Sequence, residues 1–174
     1  MSGTQPRWCS ESAVVKIVTG GQTGADRAAL DVALEYGMDV GGWVPHGRIA
    51  EDGRIPEIYP SLVEADSEEP AERTRRNVRD SEATLILSHG ELQGGSRLTF
   101  DEARRLHRPT LHINLQVLSI PSAEERLSAW LRTCRPEVLN VAGPRASEDG
   151  DIYEAVKSLL RVAFKPMATR RLLV

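Results

Sequence analysis

Two glycine-bearing stretches, GGQTG at 20–24 and GGS at 94–96, are the residues of this chain best suited to chemistry. Each follows an apolar run and opens into a helix-forming run, where a strand hands over to a helix. Glycine lets backbone approach a ligand closely, and the first amides of a helix lack partners within it, so such a loop can hold an anion. Thr23 and Ser96 would add hydroxyl donors. A third stretch, Asn140-Val141-Ala142-Gly143-Pro144-Arg145, ends the last apolar run and contributes a cation. A turn that merely reverses the chain uses the same residue types. Two Gly-Gly loops expected on one rim of one sheet favour the anion-binding reading instead. The glycines at 20, 21 and 24 do not match GxGxxG, and GxxxxGK[ST] is absent. A dinucleotide grip and an ATP-hydrolysing P-loop are therefore both disfavoured.

Residues 41–60, GGWVPHGRIAEDGRIPEIYP, hold the next candidates. Trp43 either covers a flat heterocycle or packs the long loop onto the body; in the first case His46 and Arg48 would meet negative groups and Asp52 would accept from ring N–H groups. The arginines of ERTRRNVRDS at 72–81 form a charge run whose usual fate is solvent. Arg73 and Thr74, nearer the start of their helix, are better placed for a ligand than Arg76 and Arg79. His89, His107 and His112 show no metal-ligand spacing and read as structural. Cys9 and Cys134 belong to no Cys/His cluster, so neither a disulfide framework nor a metal site is expected.

The elements that must position these residues follow from patterning. With 174 residues, 40% hydrophobic and 27% charged, the chain suits one soluble domain with its own core. The net charge of −3 gives no field for nucleic acid, and the N-terminal MSGTQPRWCSES lacks the charged start and apolar stretch of a secretory leader. No run is long enough to span a membrane, and a cytoplasmic protein is expected. Strands are predicted at 14–19, 39–45, 83–88, 110–114 and 137–143, with helices at 25–36, 67–81, 97–107, 122–134 and 149–164. Residues 46–65 form a long connection of the kind that is usually functional. The alternation predicts an α/β fold: a Rossmann-like, doubly wound, mostly parallel sheet with helices on both faces. It occupies residues 14–165, between a flexible segment at 1–13 and a tail at 166–174.

Taken together, GGQTGADRAALDVA, residues 41–62, RTRRNVRDSEATLIL, GGS with Thr99, and LNVAGPRAS resemble the molybdenum carrier family. These proteins are similar to molybdenum-cofactor carriers, within the Rossmann-like superfamily that includes the lysine-decarboxylase-like phosphoribohydrolases. The likeness spans about 14–162. It implies a homo-oligomer binding molybdenum cofactor (molybdopterin) or a related oxyanion such as molybdate or phosphate, with a molybdoenzyme as the recipient. The matching positions are Gly20, Gly21, Gln22, Thr23 and Gly24; Trp43, Pro45, Gly47 and Arg48; Gly94, Gly95, Ser96 and Thr99; and Asn140, Gly143, Pro144 and Arg145. His46 stands where the family pattern suggests lysine.

The competing reading is a nucleotide N-glycosidase similar to the phosphoribohydrolases, whose loop resembles PGGxGTxxE. Here GGSRLTFDE keeps two glycines and Thr99-x-x-Glu102, making Glu102 the candidate acid or base, but it has an extra residue and lacks the third glycine. Single-stranded nucleic-acid binding is disfavoured by net acidity and 5% aromatic content.

Overall fold

The β-branched and apolar runs become strands because their side chains can be buried on both faces of a sheet, as ATLILS at 83–88 is throughout. The computed structural model describes residues 14–171, with side chains through Lys165. The segment at 1–13 expected to be flexible lies outside the described residues, as do 172–174.

The sheet strands are β1 (Lys16–Val18), β2 (Asp39–Val44), β5 (Leu62–Glu64), β6 (Ala83–Ser88), β7 (Thr110–Asn114) and β8 (Val138–Ala142). They lie in the order β5-β2-β1-β8-β6-β7, and every neighbouring pair is parallel. The helices are α1 (Ala25–Glu35), α2 (Pro70–Arg79), α3 (Gly94–Arg105), α4 (Ile120–Cys134) and α5 (Ile152–Arg171). α1, α5 and α4 pack together as one layer, while α2 packs on α3. Right-handed crossovers require this split, because β1-α1-β2 and β6-α3-β7 step outward in opposite directions. The last strand therefore sits in the middle: β8, not β1, is the strand from which the order runs outward both ways.

Between the layers, Ile17, Leu30, Leu85, Leu87, Leu139, Leu159 and Phe164 are fully buried. Each such side chain contributes about 1.5–3 kcal/mol relative to exposure. Ser119 caps α4, accepting from the Ser122 amide, and Pro121 occupies the first turn, so the helix starts ahead of the predicted 122. α5 continues to Arg171, beyond the predicted end at 164.

The connection 46–65 is ordered. A single 3-10 turn at His46–Arg48 leads into a small antiparallel hairpin, β3 (Ile49–Ala50) with β4 (Gly53–Arg54). β5 then adds to the sheet edge beside β2. Arg48, predicted to meet a ligand anion, is instead buried under this connection, its Nη2 donating to the Pro56 and Tyr59 carbonyls. Tyr59 donates to one oxygen of Asp31 at 2.7 Å and Tyr153 to the other at 2.5 Å, fastening the connection to α1 and α5.

Candidate functional site

The three glycine-bearing loops follow β1, β6 and β8, which are sheet neighbours, so all three share the carboxyl rim. The loops after β1 and β8 touch: Ala25 donates to the Pro144 carbonyl at 3.2 Å, and the Ala146 amide donates to Thr23 Oγ1 at 3.1 Å. A side chain at Gly24 would strike Pro144 O at 2.5 Å, and one at Gly143 would strike Leu87 O at 2.3 Å. These two glycines serve close packing of the rim.

The first loop does not present a free amide cluster. The Gln22 amide donates to Asp26 Oδ2 at 3.2 Å, and the Gly20 amide reaches the same carboxylate. Gly21 donates to Thr19 Oγ1 and Thr23 to the Gln22 side chain, both at 3.0 Å. Arg73, predicted as a ligand group, lies directly over Gly20 and pairs with Asp26 at 3.4 Å. Both partners are largely buried. Burial pushes the Asp26 carboxyl above its usual range, against the lowering pull of Arg73. The acid in the first turn of α1 thus fills the place that an external anion was expected to take.

The loop after β6 is different. At the start of α3, Gly94 and Ser96 line a cavity of 360 Å³ together with Ser88, His89, Glu91, Gln93, Pro144, Glu148 and Asp149. No side chain caps α3, and a Cβ at Gly95 would meet open space. The first-turn amides of a helix have no partner within it, so this end offers donors and the positive end of its dipole. Opposite, His89 Nδ1 pairs with Asp149 Oδ2 at 2.7 Å, which leaves Nε2 for a ligand. Deeper in, Ser88 gives its one hydroxyl proton to the Gly90 carbonyl at 2.9 Å, so the 2.8 Å contact with His112 Nε2 is donated by the imidazole. Burial holds the His112 pKa below its usual value, favouring the neutral ring.

The cavity lies between the ends of β6 and β8, where chain order changes direction, the usual ligand crevice of such sheets. A second depression, 470 Å³ and lined by Arg104, His107, Arg108, Pro109 and Thr110, sits at the opposite rim, beside the start of β7. It is remote from the crevice.

Several expected residues have other work. Trp43 stacks on Arg76 at 4.7 Å and donates from Nε1 to Asp80 at 2.7 Å, so its ring packs on α2. Pro45 opens the 3-10 turn, exposed His46 lies 3.8 Å from Glu64, and the Gly47 amide donates to the same carboxylate. Asp52 is held by Arg27 through both oxygens. Thr74 and Thr99 hydroxyls donate to carbonyls of their own helices. Asn140 is buried in the sheet with its amide near Thr84. Arg145 pairs with Glu148 at 3.4 Å. Glu102 is gripped by Arg105 at 2.7 and 3.0 Å, which holds its carboxyl below the usual range. It forms no part of the cavity lining described above, so the N-glycosidase assignment loses its acid.

Among the described residues, no group of His, Cys, Asp and Glu could hold a metal ion, and no helix is long and apolar enough to cross a membrane. Cys134 is half-buried on α4, and burial raises its thiol pKa.

The circularly permutated YpsA SLOG family matches residues 17–164. The chain belongs to this family. Its permutation is visible in the sheet. Counting β8 first, the order β5-β2-β1-β8-β6-β7 becomes an ordinary doubly wound one, with β1, β2 and β5 stepping one way and β6 and β7 the other. The structure also resembles a solved one described as "Putative molybdenum carrier protein", from Syntrophus aciditrophicus SB. The two are 49% identical with a TM-score of 0.85, over 87% of this chain and 96% of that one. No curated protein matches. Family membership thus accords with the resemblance read from the glycine loops and from residues 41–62.

Proposed function

We propose that this protein binds and carries molybdenum cofactor or a related phosphorylated or oxyanion-bearing ligand, for delivery to a recipient enzyme. The observation that supports it is the crevice between β6 and β8, which combines two opposed chemistries within 360 Å³, a volume typical of small-molecule sites. The uncapped start of α3 at Gly94, Gly95 and Ser96 suits an anionic group. Glu91, Glu148 and Asp149 line the cavity as acceptors suited to an N–H-rich edge, such as that of a pterin. A simple inorganic anion would use the α3 donors and leave these acidic groups outside the contact. A ligand that is N–H-rich at one end and anionic at the other uses both. The name of the 49% identical neighbour accords with such a cargo. Gly94, Ser96, His89, Glu148 and Asp149 would hold it, without a thiolate bond and without chemistry on it.

Anaerobic purification followed by mass spectrometry of the released small molecules tests the reading. A pterin phosphate, with or without metal, is the expected result, and its yield should fall in His89→Ala, which removes a side chain that lines the cavity. Retention of an unrelated neutral metabolite, or equal yield from both proteins, would overturn it. Free base released from nucleoside monophosphates would instead return the protein to the hydrolases.

A further inference from the structure

The tip of the small hairpin carries a carboxylate placed where a ligand's would be. Glu51, between β3 and β4, accepts from the Thr23 hydroxyl, from the Ser147 hydroxyl and from the Ser147 amide at 3.1 Å. Thr23 Oγ1 is itself fixed by the Ala146 amide, so its proton is directed at Glu51. Thr23 belongs to the loop after β1 and Ser147 to the loop after β8, so two strand ends converge on one carboxylate. Arg145 adds a favourable charge. Beside it, Asp52 takes both Nη groups of Arg27 at 3.2 Å.

We infer that this groove is a second anion site, which Glu51 fills while the hairpin is shut, and that a tetrahedral oxyanion replaces it when the hairpin lifts. The inference deepens the proposed function and rests on it, by naming where a phosphate or molybdate group would be gripped. Three properties point this way. First, Glu51 is an exposed side chain at a loop tip, where a carboxylate is ordinarily left to water. Second, a carboxylate and a phosphate make the same demand on hydroxyl and amide donors, so donors that hold one suit the other. Third, the hairpin is short, and its tip is held by polar bonds that an anion can replace: those of the Glu51 and Asp52 side chains and that of the Glu51 amide to Gln22 Oε1 at 2.9 Å. Each strand has two residues, and glycines with φ of 77° and 111° stand before it, at Gly47, and just past its tip, at Gly53, as permissive joints. Lifting it also frees the Nη groups of Arg27, so the opened groove gains a cation as it loses two acids.

Glu51 then acts as an internal competitor. A latch shut about nine-tenths of the time lowers the apparent affinity about tenfold. The test is calorimetric titration with inorganic phosphate, molybdate and glycerol 2-phosphate of the wild type, Glu51→Gln, Glu51→Ala and Glu51→Gln/Ser147→Ala. All substituted positions are exposed, and matching melting temperatures establish that each variant is folded. The expected result is that both single variants bind at least one of these anions about tenfold more tightly than the wild type, and that Ser147→Ala reverses the gain. Tightest binding of glycerol 2-phosphate marks a phosphomonoester end; tightest binding of molybdate marks the metal oxyanion. Wild-type and Glu51 variants binding equally would overturn the latch alone and leave the carrier reading standing. No binding by any variant would overturn the latch, and with it the choice of an oxyanion cargo. A gain that Ser147→Ala fails to reverse would reject the groove as the place where the anion sits.

Discussion

Replacing Arg73 with methionine removes the cation that covers Gly20 and leaves the Asp26 carboxyl buried without its partner. The two charges lie 3.4 Å apart, with side-chain exposures of 15% and 6%. At an effective dielectric of about 20 their attraction is about 5 kcal/mol, of which desolvation of both groups cancels a large part. Breaking such a buried pair from one side costs about 3 kcal/mol. For a domain of this size that lowers the melting temperature by roughly 6–12 °C. The loss depends on pH in a defined direction. Burial already raises the Asp26 carboxyl, and removing Arg73 raises it further. A raised carboxyl supports the fold fully below its unfolded value, and that support fades as pH climbs through the folded value. Thermal unfolding followed by circular dichroism should therefore show the Arg73→Met deficit small near pH 4 and complete by pH 8. Asp26→Asn/Arg73→Met should regain most of it, since no buried charge is then left alone. An equal deficit at both pH values, or a double variant as unstable as the single one, would refute the view that this pair replaces an external anion at the first loop.

Tyr59→Phe deletes the 2.7 Å bond to Asp31, which should cost about 1 kcal/mol and speed proteolysis within 46–61, read by timed digestion. Gly143→Ala would place a Cβ 2.3 Å from backbone, so it should yield little folded protein, whereas Gly95→Ala, facing open space within a helix, should melt at or above the wild-type temperature. His112 is held neutral in the fold, so its support is present above the ordinary value of 6.5 and lost as pH falls through the lowered one. His112→Gln should accordingly flatten the fall in stability between about pH 7 and 5 seen by urea titration at successive pH values.

The α/β architecture was legible because ATLILS, TLHIN and the helical faces are long and strongly patterned. β5 was not: only three residues long, with two of them exposed, it carries no alternation that a reader could follow. The permuted strand order leaves no mark on local pattern, since each element looks the same wherever the chain is opened. At the site, the glycine loops were correctly placed on one rim, but the fate of their amides was hidden. Asp26 stands four residues after Gln22, a spacing compatible with either a solvated first-turn acid or an internal plug, and burial decided for the plug. Trp43 was open between ligand and packing, and Arg76 with Asp80 settled its place. His89 read as structural because it shows no metal-ligand spacing; its partner Asp149 lies 60 residues away, and the hairpin carboxylate meets Ser147 across 96 residues. Contacts of that separation are made by the fold, and no motif announces them.

The position of β8 has a consequence for how the molecule is built. As the chain is synthesised, β1 and β6 emerge well before the strand that must lie between them, so the two halves of the sheet have apolar edges with nothing to join. The centre of the sheet is closed by β8 and α5, which follow every other described element along the chain. Assembly is thereby forced to finish late, through long-range pairing, and a nascent chain stalled ahead of residue 138 would expose both halves to aggregation.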